Sequence, residues 1–174
     1  MIKKILMLVL LATPLSLAAQ KFAHFNMPEV VQALPAYKTA QTELEDMAKK
    51  FETDLNEMRK EITTKMEKYQ TEVNESTPAN IRQRREQEIM DMQQKFEQAR
   101  QDNAQAFEEA RQSKMQPLYQ KISDAVNAVA KEGSYVYVID KAGAQATIFI
   151  NESLSEDVTK KVMGKLGITA PAAK

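Results

Sequence analysis

All four glycines of this chain lie at Gly133 or beyond, and between Pro35 and Gly133 only Pro78 and Pro117 interrupt it. Glycine and proline are the strongest local breakers of regular structure, so about a hundred residues are left with two interruptions. Pro78 sits in the run Ser76-Thr77-Pro78-Ala79-Asn80. Thr77 suits a helix N-cap and Pro78 the first helical position, where its missing N–H costs nothing. The run predicts a turn, and its flanks predict an antiparallel helical hairpin with its tip near residues 76–80.

On the first flank apolar residues fall at Tyr37, Ala40, Leu44, Met47, Phe51, Leu55, Met58, Ile62, Met66, Tyr69 and Val73. From Leu44 the steps run 3-4-4. That eleven-residue period keeps the stripe straight or slightly right-handed, where a strict heptad would impose a left-handed supercoil. The returning flank carries Ile81, Ile89, Met92, Phe96, Ala99, Phe107, Ala110, Leu118, Ile122, Ala125 and Val129, with Arg85, Asn103 and Lys114 at positions that should be apolar. Acid-to-base pairs such as Glu45/Lys49 and Glu61/Lys65 mark a solvated outer face. Pro117 removes one backbone bond and crowds the carbonyl of Ser113, which predicts a bend near there. Two helices that touch only each other leave the sides of both stripes open.

The chain ends read as strands. Phe22 to Met27 is a short strand candidate stopped by Pro28, and Tyr135 to Asp140 is the strongest in the sequence. Lys141-Ala142-Gly143-Ala144 supplies turn chemistry, and Ala146 to Ile150 reads as a third strand. Ser155 then caps a short helix through Leu166, ended by Gly167, before a loose Ala/Pro tail. The fold class is α+β: a coiled-coil-like hairpin, residues 36–131, inserted in a small β base made of residues 20–35 and 132–174. A sheet this small is marginal alone and has open edges, so the base is expected to oligomerise.

The N-terminus opens with Lys3 and Lys4, an apolar run from Ile5 to Ala12, and the small residues Ser16, Ala18 and Ala19. Residues 1–19 read as a cleaved signal peptide, too short in apolar residues to span a bilayer, with a membrane-anchored helix as the alternative. With no Cys there is no lipoprotein signal, no disulfide, no thiolate site and no thiol nucleophile. A single histidine, His24, supports neither a multi-His metal site nor any triad it does not serve itself, and alternation on its strand gives it a packing role. Neighbouring acids such as Glu108-Glu109 do not converge on a helix. No catalytic, cofactor-binding or metal-ligating set emerges, and an enzyme is the least favoured class. Of 24 basic residues, Lys3 and Lys4 leave with the signal, so the mature chain has no basic excess over its 24 acidic ones. That argues against nucleic acid as a partner.

Three features together resemble the Skp (OmpH) family of periplasmic chaperones: a signal peptide, a first strand ending Phe25-Asn26-Met27, and a long hairpin returning to a strand ending Val138-Ile139-Asp140-Lys141. Pro35, Lys38 and Leu44 at the start of the first arm match, as do Ile148 to Asn151 and Leu154-Ser155-Glu156-Asp157-Val158. The resemblance spans essentially the whole mature chain. It implies a jellyfish-shaped homotrimer in which strands of three subunits form a central barrel and three arms enclose a cavity. Unfolded outer-membrane β-barrel proteins are held there, without ATP or any cofactor.

Such capture needs adaptable apolar contacts, for which methionine is suited. The candidate client-binding residues are Met47, Phe51, Met58, Met66, Met90, Met92, Phe96 and Phe107, each of which also has a packing role as its alternative; Met90, off the main stripe, is the best single candidate. Phe22, Phe25, Val136, Val138, Ile148 and Ile150 are the candidates for the oligomerisation base. Arg82, Arg84 and Arg85 form the densest basic cluster, a candidate contact for a membrane surface or lipopolysaccharide, although Glu86 and Glu88 beside them favour a solvated helix start. The rival to a holdase is a structural coiled-coil spacer or adaptor that binds a folded envelope partner. The polar breaks Arg85, Asn103 and Lys114 favour the holdase, since a permanent interface would want them apolar.

Overall fold

A computed structural model of the protein describes residues 20–144 and 148–168. The expected signal peptide, residues 1–19, and the expected loose tail from residue 169 lie outside the described residues. In chain order the elements are β1 (Lys21–Phe25), α1 (Met27–Ala33), α2 (Pro35–Glu72), α3 (Ala79–Gly133), β2 (Tyr135–Asp140), α4 (Lys141–Ala144), β3 (Ser155–Asp157) and α5 (Thr159–Lys165). The protein is α+β, mostly helical with one small sheet. It divides into two compact units, residues 31–121 and the described residues on either side of them.

The sheet has the order β2-β1-β3, and β1 runs parallel to both neighbours. Parallel neighbours cannot be joined by a tight turn, and here everything from α1 to α3 separates β1 from β2 in sequence. Phe22 pairs with Tyr137 and Phe25 with Asp140 on one side; Phe22 pairs with Ser155 and His24 with Asp157 on the other. The inner half of β1 is buried, and Val30, Ile122, Val158, Val162 and Met163 are the fully enclosed side chains of this unit. Each such burial contributes about 1.5–3 kcal/mol. Gly167, at φ +72°, ends α5 in the left-handed conformation that favours glycine.

Several expectations change in detail. The run Ile148 to Ile150 is not a strand, and residues 145–147 of that expected strand lie outside the described residues. The third strand is Ser155–Asp157, so the closing helix starts at Thr159 rather than at Ser155. The Asp157 carboxylate supplies the cap, accepting the Thr159 amide at 2.9 Å and its hydroxyl at 2.6 Å. At the tip, the Thr77 hydroxyl accepts the Asn74 amide at 3.1 Å, and so closes the turn instead of capping the second helix. Lys141 to Ala144 forms one helical turn, and Pro28 lies inside α1 instead of merely ending a strand. α3 runs through Pro117 as one continuous element.

Candidate functional site

In the unit of residues 31–121, the non-exposed residues of α2 from Tyr37 to Tyr69 follow the apolar stripe, with Met66 alone exposed. Along α3 the stripe continues through its three polar positions. Lys114 is ion-paired with Glu43, and Arg85 with Glu72 at 2.8 Å. Lys65 meets Glu88 at 2.5 Å, and Tyr69 donates to Glu86. As the α2 partner advances from Glu43 to Glu72, the α3 partner retreats from Lys114 to Arg85, which defines an antiparallel seam. Two of the three polar breaks are therefore built into the pairing of the arms, and they do not argue for a loosened interface. Asn103, the third, lines a groove described below.

Cross-arm hydrogen bonds move two groups off their ordinary pKa. The bond from Lys65 holds the Glu88 carboxyl below the usual range, and the bond to Glu86 raises the Tyr69 phenol. Among the candidate client-binding residues, Met47, Phe51, Met58, Met92, Phe96 and Phe107 are half-buried along the seam, while Met66 and Met90 are 40% and 52% exposed. Six of the eight therefore help hold the helices together while still showing an edge to solvent. Midway along the arm a groove of about 450 Å³ has Phe51, Leu55, Ala104 and Phe107 as its floor and Arg59 and Arg100 at one end. In the tip-proximal cluster, Arg85 is held by Glu72, and Arg82 lies close enough to Tyr69 to act on its charge.

In the other unit a second apolar surface is open. Phe22 stacks on Tyr137 with ring centroids 6.3 Å apart. Val136, Tyr137 and Ile148 are exposed, and Phe149 and Leu154 are 90% and 76% exposed. Phe22, Ile139, Phe149, Ile150 and Leu154 line a hollow of about 280 Å³. Of the residues expected to join subunits, Phe22, Val136 and Ile148 are exposed, Val138 and Ile150 half-buried, and Phe25 buried in its own chain. Phe149 and Leu154 are not among the residues expected to join subunits, yet both are more exposed than any of those.

His24 is buried on β1, with Nδ1 2.9 Å from the Ser155 hydroxyl, and so ties β1 to β3. The residues of the sparse sequence pattern hold backbone. Asn26 Oδ1 accepts the Glu29 amide at 3.4 Å and its own amide donates to Thr159 Oγ1 at 3.1 Å. Asp140 accepts amides of Met27, Ala142 and Gly143 at 3.2, 3.1 and 3.3 Å. An Asn directly after a strand and an Asp ending the next one are cap signals that could have been read from sequence. Among the described residues no cluster of His, Asp or Glu could hold a metal, and no helix is long and apolar enough to cross a membrane.

These features define a class of α+β protein: a helical hairpin between two parallel strands of a small sheet, with apolar surface open on both units. The family described as outer membrane protein (OmpH-like) matches residues 21–166. A solved structure from Caulobacter crescentus, described as a candidate OmpH-like outer membrane chaperone, has a TM-score of 0.69 at 13% identity, with 89% of each chain covered, and shows the same fold. A search of curated proteins finds no match. The chain belongs to the OmpH-like family, a family of periplasmic chaperones.

Proposed function

We propose that the protein is an ATP-independent holdase of the periplasm. It is exported by the signal peptide in residues 1–19, and its clients are unfolded outer-membrane β-barrel proteins. Three subunits associate through their β bases, and their arms enclose the cavity in which a client is kept from aggregating during transit. The observation that carries this reading is the arm seam: a line of Met and Phe side chains only half-buried by the partner helix, with Met66 and Met90 exposed. A seam of this kind offers many weak apolar contacts, rimmed by charge, to a chain with no fixed shape. The exposed Phe149, Leu154 and Tyr137 support association through the base. Near-neutral charge leaves capture to these apolar contacts, and lipopolysaccharide or membrane contact through Arg82 and Arg84 is a secondary element of the same proposal.

Light scattering on the mature protein, alone and after dilution of a urea-unfolded β-barrel protein into it, tests the reading. The expected result is a mass of three subunits that rises by one client in a soluble complex. A stable oligomer that leaves the client to precipitate overturns it in favour of an adaptor for a folded partner. Met90→Ser, at an exposed position, is expected to weaken capture without changing the oligomer.

A further inference from the structure

Among the basic residues that reach across the arm seam, Lys65, Arg85 and Lys114 each meet a carboxylate of the facing helix. Arg59 does not. Its guanidinium donates to Asn56 Oδ1 at 3.0 Å and lies 5.5 Å from the centre of the Phe96 ring, so its partners are a neutral amide and an aromatic face. Arg100 lines the same groove and turns Nε and Nη2 to one oxygen of Glu97, at 3.0 and 2.9 Å, leaving further N–H donors of its five. Glu52 is the one acidic side chain lining the groove, against these two guanidinium groups. Toward the opposite end the lining is apolar, with Phe51 and Phe107 half-buried and the exposed Ala48 and Ala104 too small to cover them.

The groove thus has an apolar end and a cationic end. From Ala48 to Arg59 along α2 is roughly 16 Å at 1.5 Å per residue. That distance matches about five residues of extended chain, whose alternate side chains point the same way. We propose that this groove binds an extended polypeptide segment with apolar side chains at alternate positions and an acidic side chain at the Arg59 end. The inference rests on the holdase reading and deepens it: within an otherwise unselective arm, one site has a sequence preference. Unfolded barrel strands, which alternate apolar and polar residues, supply such segments where an acidic residue follows at a strand end.

The test uses the mature full-length protein and two labelled, terminally blocked peptides, Leu-Ser-Phe-Ser-Glu and Leu-Ser-Phe-Ser-Gln, with binding read by fluorescence anisotropy. The Glu peptide is expected to bind roughly three- to fivefold tighter than the Gln peptide, the strength of an exposed ion pair. The difference is expected to vanish in Arg59→Gln, and also toward about 1 M salt, where the screening length is ~3 Å. Arg59 is exposed, so the variant keeps its fold, and its circular dichroism is checked against wild type. Equal binding of the two peptides, absence of binding, or a preference that survives Arg59→Gln overturns the proposal. Aggregation of a whole unfolded barrel protein, followed with the same wild-type sample, separates the two ideas. Suppression without peptide discrimination sinks the groove and leaves the holdase, whereas failure to suppress sinks the holdase itself.

Discussion

Replacing Asp140 with alanine should destabilise the protein by about 2–3 kcal/mol, adding the two contributions that follow. Its carboxylate accepts three amide N–H groups that helices leave without partners: Met27 at the start of α1, and Ala142 and Gly143 at the start of α4. Ala142 and Gly143 are exposed and will rehydrate, so the loss there is that of an ordinary N-cap, about 1 kcal/mol. Met27 is half-buried, and an amide left there without an acceptor costs a further ~1–2 kcal/mol. Asp140→Asn keeps one oxygen for the Met27 and Ala142 amides and should cost about 1 kcal/mol through the lost charge and second acceptor. Urea unfolding followed by circular dichroism, at one fixed protein concentration because the chain is expected to associate, measures both variants. The accompanying fall in Tm for Asp140→Ala is roughly 5–10 °C. A change below ~0.5 kcal/mol for alanine, with an unaltered m-value, would refute the claim that this carboxylate holds two helix ends.

Three further outcomes are expected. A methyl group added at Gly133 would meet the Tyr135 ring at 2.0 Å, while one added at Gly164 meets nothing within 4 Å. Gly133→Ala should therefore destabilise by about 1–3 kcal/mol and displace the Tyr135 hydroxyl from Glu156, whereas Gly164→Ala should stabilise by up to ~1 kcal/mol; thermal melts of the two variants decide. A double-mutant cycle on Glu43 and Lys114 should return a coupling of about 0.2–1 kcal/mol that fades in high salt, and zero coupling in low salt would remove this pair from the seam. Acid should weaken the folded state in a definite window. Hydrogen bonds from Lys65, Lys141 and Lys161 hold the carboxyls of Glu88, Glu152 and Glu156 below their ordinary range. Burial pushes Asp157 up, but the hydroxyl and amide of Thr159, with the neighbouring His24 and Lys141, together outweigh it and leave the group low. A carboxyl lowered in the folded state gives stability that is present above its unfolded pKa, near 4, and is lost as pH falls through the folded value. Tm should therefore be flat between about pH 5 and 7 and fall below about 4, and a flat profile down to pH 2 would contradict these assignments.

The candidate surfaces were legible in part. The stripe from Tyr37 to Tyr69 marked the residues that α2 turns to its partner, because a helix stripe needs only the spacing of its own residues. Arg85 and Lys114 looked like defects in the second stripe because their partners, Glu72 and Glu43, lie on the other helix. Whether Met66 or Met58 is open to solvent could not be read from spacing either, since both lie on one stripe; the facing helix decides it.

The sequence by itself determined the two long helices α2 and α3, their boundaries near Pro35, the Pro78 turn and Gly133, and the strands β1 and β2. Breaker placement and i, i+3, i+4 spacing are local, and hydrogen bonds inside a helix join residues that are close in the chain. Only the tertiary structure decided the third strand. The β-branched run ending at Ile150 had the better propensity, yet Ser155–Asp157 is the segment that pairs with β1. Its place is fixed by the His24–Ser155 contact, by the Val158 amide donating to the His24 carbonyl at 2.9 Å, and by the α5 cap at Asp157. A strand has no hydrogen bonds of its own, so its identity depends on partners more than a hundred residues away, and no reading of local propensity reaches them.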